Sequence, residues 1–151
     1  MFGTKRILYP TDFSSYSNQA YFQAVTLAEV HGASLTILYV LNPKTDVLEL
    51  HANDQDYWRE QLEQIRPNNT KIPVNHVLLV GDPATAIPQY AAEAGIDMIV
   101  MGTHGRTGKE RVLMGSVAEQ TLRNAPCSVL VVKMRQGHSN PRPDVELVAA
   151  N

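Results

Sequence analysis

Along this chain short continuous apolar runs alternate with stretches in which apolar positions recur near a period of 3.6, and the switches mark its elements. Ile7-Leu8-Tyr9 is a short apolar run followed by Pro10, which has no amide for a sheet ladder, so a first strand is expected over about residues 5–9. The polar turn Thr11-Asp12-Phe13-Ser14-Ser15 offers several helix caps, and Ala20, Ala24, Leu27 and Ala28 then recur at helical spacing up to Gly32, a good C-cap. Residues 34–40 are rich in β-branched and aromatic side chains and read as a buried strand. Residues 5–40 are therefore a βαβ unit with short connections, right-handed in a parallel sheet.

Residues 42–69 are less regular. Pro43 breaks the strand, Val47-Leu48-Glu49-Leu50 is a short apolar patch, and residues 54–65 fit a helix with Tyr57, Trp58, Leu62 and Ile65 on one side, stopped by Pro67. Residues 72–80 read as a third strand, Pro73 placing its start near an edge. Gly81-Asp82-Pro83 supplies a turn, an N-cap and a first-turn proline for a helix running through Ile87, Tyr90, Ala91 and Ala94 to Gly95. A fourth strand at 98–101, a helix at about 117–123 broken by Pro126, and a fifth strand at 128–132 follow. Five strands with intervening helices predict a three-layer α/β/α domain around a mostly parallel sheet. Beyond Lys133 the composition turns linker-like, so residues 134–151 are expected to be an exposed tail.

Composition narrows the function. At 151 residues the chain fits one domain and can bury a sizeable core. A net charge of −2 argues against nucleic acid as a main partner. No apolar run approaches the ~18 residues of a membrane helix, the first strand follows Met1 too closely for a signal peptide, and the one cysteine excludes an intrachain disulfide. A cytoplasmic protein without a membrane partner is expected.

The chemistry concentrates after the fourth strand, in Met101-Gly102-Thr103-His104-Gly105-Arg106-Thr107-Gly108, closed by Gly115-Ser116. Strand, glycine loop, helix N-terminus is a layout in which backbone amides wrap a phosphate chain, and glycines are able to take φ > 0 or let a ligand approach closely. It is not a Walker A loop, since Gly108-Lys109 is followed by Glu110, nor the dinucleotide fingerprint, which follows the first strand. Ser116-x-x-Glu119 has the form of a capping box, in which Ser116 caps the next helix; alternatively it donates to a phosphate there. Asp12 either caps the first helix or, if strands one and four are neighbours, accepts from ribose hydroxyls. His104 is the one histidine within this stretch; acting as a base it would need an orienting partner. His31, His51, His76 and His138 are scattered, so no metal centre is expected, and Cys127 reads as a small core residue.

These residues together form a family pattern. Gly102-x-x-Gly105-x(9)-Gly115-Ser116, after Ile99-Val100-Met101 and before Val117-Ala118-Glu119, resembles the ATP-binding signature of the universal stress protein family. Ile7-Leu8-Tyr9-Pro10-Thr11-Asp12-Phe13-Ser14 resembles its opening strand and acidic turn, Gly81-Asp82-Pro83-Ala84 its turn after strand three, and residues 125–132 its last strand. The likeness covers about residues 3–133, giving a domain at 1–133 and the tail at 134–151. It implies an adenine nucleotide alpha hydrolase-like fold, a parallel sheet in the order 3-2-1-4-5, and ATP with Mg²⁺ or Mn²⁺ at the switch point. Pro10, Thr11, Asp12 and Val40 would line the adenine and ribose side. Met101, Gly102, His104 and Gly105 would form the near wall, and Gly115, Ser116 and Val117 would hold phosphates. It further implies a homodimer through the last strand, Ser128–Val132, and a nucleotide-responsive stress or signalling role without strong turnover. A slow ATP hydrolase or nucleotidyl-transfer enzyme using the same site, and a nucleotide-free dimeric adaptor, are the alternatives.

Overall fold

The computed structural model describes residues 3–14, 17–44, 54–103 and 114–133. Along them run β1 (Arg6–Thr11), α1 (Asn18–His31), β2 (Ser34–Leu41), α2 (Gln55–Glu63), β3 (Val74–Val80), α3 (Pro83–Ala94), β4 (Met98–Gly102), α4 (Ser116–Asn124) and β5 (Ser128–Val132). All neighbouring strands are parallel, in the order β3-β2-β1-β4-β5. Strand residues send alternate side chains to opposite faces, and two separate cores result. Ile7, Tyr9, Leu35, Ile37, Tyr39 and Val100 meet Ala20, Ala24 and Ala28 of α1 and Trp58 and Leu62 of α2. On the other face Leu8, Leu38, Val40, Ile99 and Met101 meet Ile87 and Ala91 of α3 and Ala118 of α4. This is the expected three-layer sandwich of the adenine nucleotide alpha hydrolase-like kind.

Punctuation read from the sequence holds where it is local. Gly32 and Gly95 end α1 and α3 in the left-handed region, at φ 63° and 67°. Asp82 caps α3 by accepting from the Thr85 amide, with Pro83 in the first turn. Pro73 precedes β3, an edge strand, and its carbonyl accepts from the Leu35 amide. α2 stops at Glu63, short of Ile65, because Gln64 and Ile65 tighten onto the carbonyls of Gln61 and Leu62, three residues back.

Two expectations are corrected. β1 does not end before Pro10: it continues to Thr11, paired with β2 through Pro10–Leu38 and Thr11–Tyr39. Alternate amides of a central strand face its two neighbours. Ser34 donates to the Lys5 carbonyl and Asp97 to the Arg6 carbonyl, so odd-numbered positions of β1 bond to β2 and even-numbered ones to β4. The donor that Pro10 lacks would have met β4, and Pro10 costs nothing on the β2 side. The second correction is at α4. Its N-cap is Gly115, whose carbonyl accepts from the Glu119 amide, so Ser116 lies inside the first turn and makes no capping box. Glu119 instead pairs with Arg123 one turn on, at 3.4 Å.

Among the described residues no helix is long and apolar enough to cross a membrane. The apolar patch at residues 47–50 and the tail at 134–151 lie outside the described residues.

Candidate functional site

The order of the sheet reverses between β1 and β4, and there the two strands part. Their registered pairs are Ile7–Met98 and Leu8–Ile99, after which β1 continues on β2 alone and β4 continues on β5 to Gly102–Val132. Pro10 supplies the reason, since position 10 has no amide for the next bond to β4. This reversal point lies at the carboxyl ends of the strands, where open α/β sheets take ligands in a crevice.

One wall is apolar. Val40 and Met101 belong to the core on the α3–α4 face, each 6 % exposed, and Pro10 alternates with Leu8 onto the same face. The N-terminus of α4 rises on that face, with Met114 and Val117 packed against the same cluster. Gly115 has no side chain to cap the first-turn amides, and its φ of −71° is ordinary extended backbone. Gly102 is also not in the left-handed region, so neither glycine is there for positive φ. What each supplies is the missing Cβ. The ends of the glycine loop are drawn together: the Thr103 amide donates to the Val132 carbonyl, and the Gly115 amide to the Thr103 carbonyl. His104 and Gly105 lie outside the described residues.

The opposite lip is the acidic turn. Asp12, half-buried, accepts through Oδ1 from both the amide and the hydroxyl of Ser14, at 2.9 and 2.5 Å. It is not the cap of α1, whose N-cap is Ser17. Thr11 is buried, and its hydroxyl points into the fold, accepting from the Phe13 amide at 3.0 Å and meeting Ser17 Oγ at 3.5 Å. From Thr11, therefore, the crevice receives backbone. Beneath, Tyr9 donates its hydroxyl to the Ser17 carbonyl at 3.0 Å. Burial pushes that phenol up, against the lowering effect of its bonds to Ser17 and Thr11, and the Asp12 charge pushes it further the same way. Tyr9 is thus a neutral donor that ties the start of α1 to β1.

Phe13 was legible only as part of a motif, yet its backbone is unusual. Its φ of 64° makes it the one non-glycine residue at positive φ among those described. A bulky residue there stores roughly 1–3 kcal/mol of strain. Its ring packs edge-on to Tyr39 at 4.7 Å and against Trp58 at 5.2 Å, contacts that offset the strain. No feature of local sequence announces this; it follows from what β2 and α2 bring together.

The remaining candidates fit structural roles. His76 makes a 2.8 Å hydrogen bond to the Ile65 carbonyl. Cys127 is half-buried against the α3–α4 core, and burial pushes its thiol up, away from a reactive thiolate. No group of three or more His, Cys, Asp or Glu among the described residues is placed to hold a metal ion.

An apolar slot, a carboxylate at one lip and bare helix amides at the other suit a ligand with a flat apolar group, hydroxyls and an anion. Comparison with known proteins agrees with the fold. Residues 3–133 match the model of the universal stress protein family. The Methanocaldococcus jannaschii universal stress protein MJ0531 is 35 % identical over 139 residues, spanning 85 % of this chain and 82 % of its own. Among solved structures, the protein MJ0577 aligns with a TM-score of 0.79 at 28 % identity, over 90 % of this chain and all (100 %) of its own. UspA of Lactobacillus plantarum aligns with a TM-score of 0.72 at 28 % identity, over 87 % and 99 %. The chain belongs to the universal stress protein family.

Proposed function

We propose that this chain binds ATP in the β1–β4 crevice and acts as a nucleotide-responsive homodimeric stress or signalling protein of the cytoplasm, with little or no turnover. The observation that carries the reading is the pairing of two walls: strands that part after Leu8–Ile99, and an α4 N-terminus whose cap is a glycine without a side chain. Adenine and ribose lie against Pro10, Val40, Met101 and the backbone of Thr11, with Asp12 accepting from ribose hydroxyls. Gly102, His104 and Gly105 flank the phosphates, which the amides of Ser116 and Val117 receive beside Gly115. A Mg²⁺ or Mn²⁺ ion would accompany the nucleotide and neutralise part of its phosphate charge. The binding unit is residues 1–133, and residues 134–151 form a tail outside it.

The test is Gly115→Val. Valine adopts the backbone of this position without strain, and the added side chain fills the space a phosphate needs. The variant should keep the wild-type circular dichroism spectrum and lose measurable heat of ATP binding. A folded variant with unchanged affinity would remove the phosphate assignment.

A further inference from the structure

The turn that carries Asp12 is held from the far side of the sheet. Thr11 is the last residue of β1, and the chain must bend within a few residues to begin α1 at Asn18. Phe13 makes that bend in the left-handed region, and this conformation brings the Ser14 amide and hydroxyl back onto Asp12. The Phe13 ring packs into the α1–α2 core, whereas the α4 N-terminus stands on the other face. Three aromatic rings from three elements meet there: Phe13 after β1, Tyr39 in β2 and Trp58 in α2. Their centroids are 4.7 Å apart for Phe13–Tyr39, 5.2 Å for Phe13–Trp58 and 5.2 Å for Tyr39–Trp58. Tyr39 and Trp58 are themselves buried, at 2 % and 8 % exposure, so both jaws of the clamp lie within the core.

We propose that Phe13 is a positioning residue for nucleotide recognition: its ring, clamped between Tyr39 and Trp58, holds the strained turn that presents the Asp12 carboxylate to the ribose. The inference rests on the nucleotide reading of the crevice and adds to it a source of specificity. A residue without this anchor relaxes out of the left-handed region, and the Asp12 carboxylate then leaves its place at the lip. The clamp also joins α2 to the site. α2 touches the opposite face of the sheet, yet its docking fixes the geometry of a ribose contact. By linkage, whatever loosens Trp58 weakens the discrimination that Asp12 provides, and nucleotide binding in turn favours the docked α2.

The probes are ATP and 2′,3′-dideoxy-ATP, titrated into the full-length protein by calorimetry. In the wild type the hydroxyl contacts favour ATP by about tenfold. Phe13→Gly keeps the left-handed backbone accessible but removes the ring, so the turn is no longer held. The variant should bind both nucleotides with nearly equal affinity, through losing affinity for ATP and not for the dideoxy analogue. Trp58→Ala, made in another element, should shrink the ratio in the same way, and Trp58→Phe should restore most of it. Loss of folding stability alone lowers both affinities together and leaves the ratio intact. An unchanged ratio in folded Phe13→Gly or Trp58→Ala would therefore overturn the positioning role while leaving the nucleotide site standing. A wild type that binds neither nucleotide would overturn both.

Discussion

At the scale of single residues, Pro10 has the clearest consequence. Its missing amide lies on the β4 side of β1, so it ends one ladder and leaves the other intact. From the sequence alone a proline reads as the end of a strand, because which neighbour its amide faces depends on tertiary pairing. Pro10→Val should let position 10 donate to the Ile99 carbonyl and extend the β1–β4 ladder by one bond. Hydrogen exchange should find the new amide protected, and narrowing the crevice should weaken ATP binding by about tenfold or more, the equivalent of one or two lost hydrogen bonds. A freely exchanging amide, or unchanged affinity, would show that Pro10 does not separate the strands. Thr11 and Phe13 show the same limit of legibility. Their residue types suit a ligand site, but the Thr11 hydroxyl is spent on Phe13 and Ser17, and the backbone of Phe13 is set by rings arriving from β2 and α2.

At the scale of elements, helix and strand identities were readable because each depends on a local period and local caps. The stops at Gly32 and Gly95 and the start at Asp82 are where the sequence places them. The start of α4 was not, since the pattern Ser116-x-x-Glu119 fits a capping box whose register is decided elsewhere. The bond from the Gly115 amide to the Thr103 carbonyl fixes the cap one residue earlier. β5 has an outer edge that no strand among the described residues covers. It is an edge strand, and Leu130 leaves 37 % of its surface exposed there. A parallel sheet edge with apolar side chains invites pairing, and a second copy is the partner we propose. Leu130→Lys should therefore shift the protein from dimer to monomer in sedimentation, with its circular dichroism spectrum retained. A variant that stays dimeric would move the interface away from β5.

At the scale of the whole molecule, two cores on opposite faces of one sheet meet different parts of the proposed ligand site. The α3–α4 core supplies the apolar wall and the helix amides, and the α1–α2 core anchors the acidic turn through Phe13. The crevice is thus a product of sheet order: β1 ends at Thr11 and β4 begins only at Met98, and the 3-2-1-4-5 arrangement sets the ends of the two strands, followed by Asp12 and the glycine loop, at one reversal point. We propose that this crevice holds ATP, and any nucleotide retained by the purified protein reports on it. Denaturing the protein and identifying the released small molecules by mass spectrometry, followed by calorimetric titration of the stripped protein with ATP and Mg²⁺, should return adenine nucleotide and saturable binding near one ATP per chain. Absence of adenine nucleotide from the extract together with no binding heat in folded protein would exclude ATP as the ligand of this crevice.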